Sequence, residues 1–517
     1  MNWWRRPYLW AALSAVGVFI ANIGGVATGD DGVAYVAIAE RLLDGRSLGY
    51  FLEDPLTVWP PGWPALIALV AWLTPLGTQG AAIALNMVAV ASVVILVHRI
   101  LRRLVASEQL IAVGTITSAL GAEAMLFGHL LLTDYAFAGV TLGLFLAALN
   151  YRSDHSPRWL VVAAVIVWAG FMLRYAGIVH IGTVGLWLLL DRRFAAKQRL
   201  VRAAGFGALA AVVPVAWVLR NLATDGTTLG ERYPSNRGFV HNVHDTILTI
   251  GNFIAPGMAT DQEMVWLGVA VIGTAIVAAL LWRAVRSDPR ARGGVSGFAA
   301  LTGTDVGLFV LHVIVYAIYM IYVRSTAGLN RLDIRLLFPL YIPLVIVALT
   351  IIDRVERREP TGTPWRNLAR GTVAVWAVTN LAVGVVMIGY FSTNPRLFGG
   401  NYNSDEFAAI RKSSIIATTE EACAGDHLVS NLPSGFFGSG LEPDWMPRRT
   451  FFESNVEVDD LDELNDELRS GGDMCLLFVD LAPAYGHLAT LDDLEQHAAV
   501  AELAEEGSVT LYRLTAR

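Results

Sequence analysis

Apolar runs of about 20 residues constrain this chain more than any other feature, because a helix of that length crosses a hydrocarbon core of about 30 Å. Runs that approach or meet that length lie near 9–28, 81–101, 109–129, 136–150, 159–174, 176–190, 203–219, 265–282, 305–323, 336–352 and 371–391. They predict an all-α polytopic membrane protein of about eleven transmembrane helices. Composition agrees: 55% of the 517 residues are hydrophobic and only 16% charged, against about a quarter charged in soluble chains. A purely cytosolic enzyme does not fit.

Arginine placement orients the spans. With Arg5 and Arg6 in the cytoplasm, alternate loops hold Arg99, Arg102 and Arg103; Arg152 and Arg158; and Arg192, Arg193, Lys197, Arg199 and Arg202. Arg283, Arg286, Arg290 and Arg292 follow, and then Arg354, Arg357, Arg358, Arg366 and Arg370. This is a strong positive-inside bias. It predicts a multi-pass protein of the cell membrane with a cytoplasmic N-terminus. An odd number of spans puts the C-terminus outside.

The net charge of −7 averages two unlike regions. From residue 392 onward there are 23 acids and 8 bases, and before it 22 acids and 30 bases. The expected division is therefore a transmembrane domain over 1–391 and an extracytoplasmic soluble α/β domain over 392–517. The second alternates helix-like stretches (404–422, 459–470, 490–506) with β-like runs (427–430, 474–479, 508–514). Cys423 and Cys475 both fall there, where oxidation permits a disulfide. Two cysteines make neither a disulfide-rich scaffold nor a four-ligand zinc site. No P-loop or dinucleotide fingerprint occurs, and basic clusters confined to short loops argue against nucleic acid as a partner.

Chemistry-bearing residues gather on the outer side. The loop 29–80 is far longer than a connector requires. It opens with Asp30-Asp31, continues as an amphipathic helix from Val33 to Asp44, and reaches Trp59-Pro60-Pro61-Gly62-Trp63-Pro64. The apolar run Ala65 to Leu76 comes next, too short to span and read as re-entrant or interfacial. Asp134 lies between two spans, and Arg174, Arg220, Arg324, Arg331 and Arg335 mark outer helix ends. A carboxylate can take the proton of an attacking hydroxyl, and arginines can bind a departing phosphate bidentately. Both would act at headgroup depth, as a lipid-linked sugar phosphate requires.

These residues resemble the GT-C glycosyltransferases, in particular bacterial members similar to the protein-mannosyltransferase and aminoarabinose-transferase families. The resemblance rests on Asp31-x-x-x-Tyr35-x-x-x-Ala39 with Leu42-Leu43-x-Gly45, the Trp59–Pro64 motif and Asp134. It continues through Leu173-Arg174-Tyr175-Ala176-Gly177, Arg220-Asn221 and Asp333-x-Arg335-x-x-x-Pro339, covering roughly residues 10–345 in order. It implies an inverting transferase of the cell envelope that moves a sugar from a polyprenyl phosphate to a lipid, glycan or protein acceptor. Asp31 is then the candidate general base, with Asp30 as the alternative, and Asp134 the second acid. Tyr35, Trp59, Arg174, Arg220, Asn221, Asp333 and Arg335 are candidate substrate contacts. Relatives with and without a divalent cation exist, so Asp30, Asp31 and Asp134 are the residues that could hold one.

Simpler roles stand beside these. Asp31 and Asp134 could each be a helix cap, the Trp-Pro-Pro-Gly-Trp-Pro segment an interfacial anchor, and Arg174 a snorkelling arginine. His241 and His244 lack a third ligand for a metal, and His129 reads as lining the bundle. The rival function is a membrane transporter or lipid flippase without transferase activity; no internal repeat or paired broken helix supports it.

Overall fold

The computed structural model describes residues 6–256, 263–286, 304–394, 402–480 and 485–517. Arg5, Arg290 and Arg292, used above for orientation, lie outside the described residues.

The chain starts with α1 (Pro7–Ala21), α2 (Asp30–Leu43), α3 (Gly62–Leu73) and α4 (Gly77–Leu104). It continues with α5 (Glu108–Leu120), α6 (Ala122–His129), α7 (Asp134–Asp154), α8 (Arg158–Leu173) and α9 (Val179–Leu190). Next are α10 (Ala196–Ala210), α11 (Val212–Thr224), α12 (Phe239–Ile254), α13 (Glu263–Arg286), α14 (Asp305–Thr326), α15 (Phe338–Arg358) and α16 (Pro364–Thr393). Each predicted apolar run falls on a helix or a helix pair, except that the first, 9–28, leaves its helix after Ala21. By length and hydropathy six of the described helical segments suffice to cross a membrane, or seven if the pair α10–α11, bent by 42°, counts as one. α1, α3, α8 and the stretch Tyr175–Leu190 are apolar but shorter.

The segment Glu108–His129 breaks at Gly121 between α5 and α6. A break inside an apolar bundle frees backbone groups that need partners. Asn380 of α16 supplies one: its Oδ1 accepts from Ala122 N at 3.1 Å, while its Nδ2 donates to Tyr341 Oη at 3.1 Å and to Glu123 Oε2 at 3.3 Å. α16 approaches closely because Gly384 lies against the Leu120 carbonyl, where a Cβ would stand 2.0 Å from that oxygen.

The amphipathic helix begins earlier than expected, at Asp30, and is not a one-sided surface helix. Gly32 through Ala39 are all buried. The apolar stripe packs on α3 and α4, and the remaining faces are covered by the Tyr50–Leu56 region and by the 3-10 turn Pro433–Phe436 near the C-terminal sheet.

Beyond Thr393 lie α17 (Asp405–Ile410), α18 (Ser414–Ala422), α19 (Asp460–Arg469) and α20 (Leu491–His497) with β1 (His427–Ser430), β2 (Asp444–Trp445), β3 (Met474–Val479), β4 (Ala499–Glu506) and β5 (Val509–Thr515). The sheet order is β2-β1-β3-β5-β4, parallel from β2 to β3 and antiparallel from β3 to β4. The expected helix 490–506 is half wrong. Ala499–Glu506 has helix-forming composition, yet its backbone pairs with β5, and tertiary pairing outweighs propensity there. Cys423 and Cys475 are bonded, tying the end of α18 to β3.

Candidate functional site

Two short backbone segments create the site. After α1 the chain runs extended, and Ala27 N donates to His129 O at 2.9 Å while Leu131 N donates to Ala27 O at 2.9 Å. This two-bond zip places the start of α2, with Asp30 and Asp31, beside the start of α7, with Asp134. The helices begin at Asp30 and Asp134 without side-chain caps, so capping does not account for any of the three acids.

Each acid has a different partner. Asp31 pairs with Arg335, and both side chains are about a quarter exposed, at 23% and 26%. Asp134 is fully buried and pairs with Arg174, which is 13% exposed. Arg335 Nε also lies 3.8 Å from Asp134 Oδ2, so the two pairs form one cluster. Arg174 is therefore no snorkelling residue: the extended backbone between α8 and the 3-10 turn Tyr175–Ile178 turns its guanidinium inward. Asp30 instead accepts from Ser434 Oγ at 2.6 Å and from Tyr485 Oη at 2.9 Å.

Arg335 is presented by an Asx-type turn, in which Asp333 Oδ1 accepts from Arg335 N at 3.0 Å and Leu336 N at 3.1 Å. Burial lowers its pKa to about 10, partly offset by the charge of Asp30. It stays protonated at neutral pH.

A cavity of about 360 Å³ opens over this cluster. Asp31, Tyr35, Trp59, Arg174 and Arg335 line it together with Arg232, Tyr319 and Phe452. Trp59 packs edge-on against Tyr35. Its loop is folded by Glu53, whose Oε1 accepts from Thr57 N and Val58 N, both at 2.6 Å. Gly62 follows because α3 abuts α8: a Cβ there would stand 2.3 Å from Met172 O.

Arg220 and Asn221 do not join this cavity. Arg220 Nη1 donates to Leu56 O at 2.5 Å and to Asn221 Oδ1 at 3.0 Å, while Asn221 Nδ2 donates to Thr228 O at 3.0 Å. They satisfy loop carbonyls that would otherwise lack donors. The guanidinium that reaches the cavity from this region is Arg232. Among the described residues no carboxylate lies within ion-pair distance of it; burial lowers its pKa, opposed by the nearby Tyr175 and Glu53. Its charge was visible in the sequence, but nothing in the spacing distinguished it from Arg220. Phe452, Ser434 and Tyr485, far along the chain, carried no sequence signal.

A second cavity of about 520 Å³ lies on the other side of the Asp31–Arg335 pair. Asp31, Asn330, Arg335 and Phe452 border both cavities. His129 is buried and stacked on Phe391, and His241 and His244 stand on α12 away from either cavity. Among the described residues, Asp30, Asp31 and Asp134 are not gathered within ligand distance of one another. The group Cys423, Asp426 and Cys475 is gathered, but bonded cysteines offer no thiolate to a metal.

No protein-family model and no curated protein sequence matches the chain. Solved structures do. ArnT from Cupriavidus metallidurans bound to undecaprenyl phosphate superposes with a TM-score of 0.59 at 16% identity over 98% of this chain and 97% of that one. Its apo form gives 0.59 at 14% identity over the same shares. The Archaeoglobus fulgidus oligosaccharyltransferase in complex with Zn and sulfate gives 0.51 at 12% identity, over 97% of this chain and 72% of that one. From α1 through the C-terminal sheet, this chain shares the fold of these structures.

Proposed function

We propose that the protein is an integral-membrane glycosyltransferase that moves a sugar from a polyprenyl-phosphate donor to an extracytoplasmic hydroxyl acceptor, with inversion. One observation carries the reading. A carboxylate, Asp31, and three guanidiniums, Arg174, Arg232 and Arg335, border a single cavity at the ends of apolar helices. The similarly folded Cupriavidus ArnT binds undecaprenyl phosphate, a ligand whose headgroup suits those guanidiniums.

The acceptor oxygen attacks the anomeric carbon, and Asp31 takes its proton. The bond from that carbon to the phosphate oxygen breaks, and polyprenyl phosphate leaves with the electron pair. Arg232 and Arg335 receive the phosphate charge, while Arg174 is held to Asp134 and supports the cluster from behind. Arg335 now pairs with Asp31, so an arriving phosphate competes with Asp31 for it and frees the carboxylate to act as base. Inversion follows from a single displacement. A divalent cation held by Asp31 would have to displace Arg335. The arginine distribution supports eleven spans, with domain 392–517 and the cavity on the extracytoplasmic face.

Mass spectrometry of lipid extracted from the purified protein tests the reading. A polyprenyl phosphate or its glycoside is the expected species. Absence of any polyprenyl lipid, together with failure to bind added undecaprenyl phosphate, would overturn it.

A further inference from the structure

The two cavities that meet at Asp31 have opposite charge. The first sets three guanidiniums against one carboxylate. The second sets three carboxylates, Asp30, Asp31 and Asp333, against Arg335 alone. Its remaining wall is apolar, formed chiefly by Leu126, Phe127, Leu130 and Leu132 around the end of α6. Phe452 and Tyr485 close the side toward the C-terminal sheet, and Tyr485 fixes Asp30 there through its hydroxyl. A volume of about 520 Å³ is in the range of drug-sized ligand sites.

We infer that the second cavity holds the acceptor, and that the acceptor is a neutral glycolipid whose reacting hydroxyl has no phosphate beside it. The inference rests on the transferase reading. Phosphate oxygens entering this cavity would meet carboxylates and lose hydration without a compensating cation, because Arg335 is needed on the donor side. A sugar headgroup instead finds acceptors for its hydroxyls, and its first methylenes find the leucines and Phe127. Asp31, shared by both cavities, then stands between the acceptor hydroxyl and the donor. The same opposition of charge selects against a wrong partner.

Binding to the full-length protein in phosphatidylcholine nanodiscs tests this, with glucosyl-diacylglycerol, phosphatidic acid and undecaprenyl phosphate as probes. The wild type should bind glucosyl-diacylglycerol at least about 10-fold more tightly than phosphatidic acid. Leu132→Trp, which fills only the second cavity, should lose glucosyl-diacylglycerol and keep undecaprenyl phosphate, the latter also reporting that it is folded. Asp30→Asn should narrow the preference by raising phosphatidic acid affinity about 10-fold. Equal binding of the two diacyl lipids by the wild type, no binding of the glycolipid, or unchanged glycolipid binding in Leu132→Trp overturns the inference. Failure of undecaprenyl phosphate alone to bind the wild type counts against the transferase reading while the selectivity of the second cavity stands.

Discussion

Replacing Asp31 with Asn separates catalysis from binding, and the structure sets the size of each effect. Loss of a positioned general base costs about 10²–10⁴ in rate, or about 3–5 kcal/mol on the barrier at 1.36 kcal/mol per decade. The effect on folding is far smaller. Asp31 and Arg335 are each about a quarter exposed, an amide oxygen still accepts a hydrogen bond from Arg335, and Asp134 remains 3.8 Å from Arg335 Nε. The lost charge at the first turn of α2 is worth about 0.3–1 kcal/mol, a melting shift of a few degrees at most. Donor binding should move the other way. Asp31 competes with the phosphate for Arg335, so the Asp31→Asn variant should bind undecaprenyl phosphate as tightly as the parent or up to about tenfold more tightly. The assay follows release of free polyprenyl phosphate from glycosylated lipid by mass spectrometry, beside melting and binding curves for the same preparations. Retention of the full rate refutes the assignment of the base. Loss of rate together with loss of phosphate binding refutes the competition at Arg335.

Arg232→Gln should weaken undecaprenyl phosphate binding by about 10-fold, the scale of one charged hydrogen bond, with little loss of thermal stability, because among the described residues no carboxylate lies within ion-pair distance of it and Glu53 acts on it only at longer range. Arg174→Met leaves Asp134 buried without its partner and should destabilise the protein by about 3–5 kcal/mol; denaturation curves of the Arg174→Met/Asp134→Asn double variant should recover part of that. Gly62→Ala forces α3 off the Met172 carbonyl, and at about 1–3 kcal/mol it should lower the melting temperature and raise KM for the donor by displacing Trp59. Cys475→Ser opens a loop of 52 residues, and chain entropy predicts a loss of about 4 kcal/mol, confined to the unfolding of the C-terminal sheet in hydrogen exchange.

The helical register was legible because apolar runs and helix formation share one physical cause. The bilayer-like surface of the bundle needs uninterrupted hydrophobic residues, so each run marks a helix. What the runs did not show were the interruptions. The break at Gly121 depends on Asn380 from α16. The bend between α10 and α11 falls where Pro214 has no N–H to donate back to the Ala210 carbonyl, and hydropathy alone passes over it. α12 lies between the predicted apolar runs 203–219 and 265–282 and escaped them because Asn242 and Asp245 interrupt its apolar residues. At the site, Asp31, Asp134, Arg174 and Arg335 were recognisable from their order along the chain and do converge. Arg220 did not, since any arginine at a helix end can serve a carbonyl as readily as a ligand. β4 was misread because alanine and glutamate favour helices, and only the neighbouring β5 decides otherwise.

The bonds to Asp30 have a consequence for synthesis. Its two hydroxyl partners lie 404 and 455 residues further along the chain. At ribosomal speeds of about 5–20 residues per second, the last of them emerges roughly 20–90 s after Asp30 itself. Until then the wall facing the carboxylates is missing, whatever the first helices have already done in the membrane. The acidic cavity is therefore complete only once the Pro433–Phe436 turn and the Tyr485 segment between β3 and α20 have docked against the start of α2.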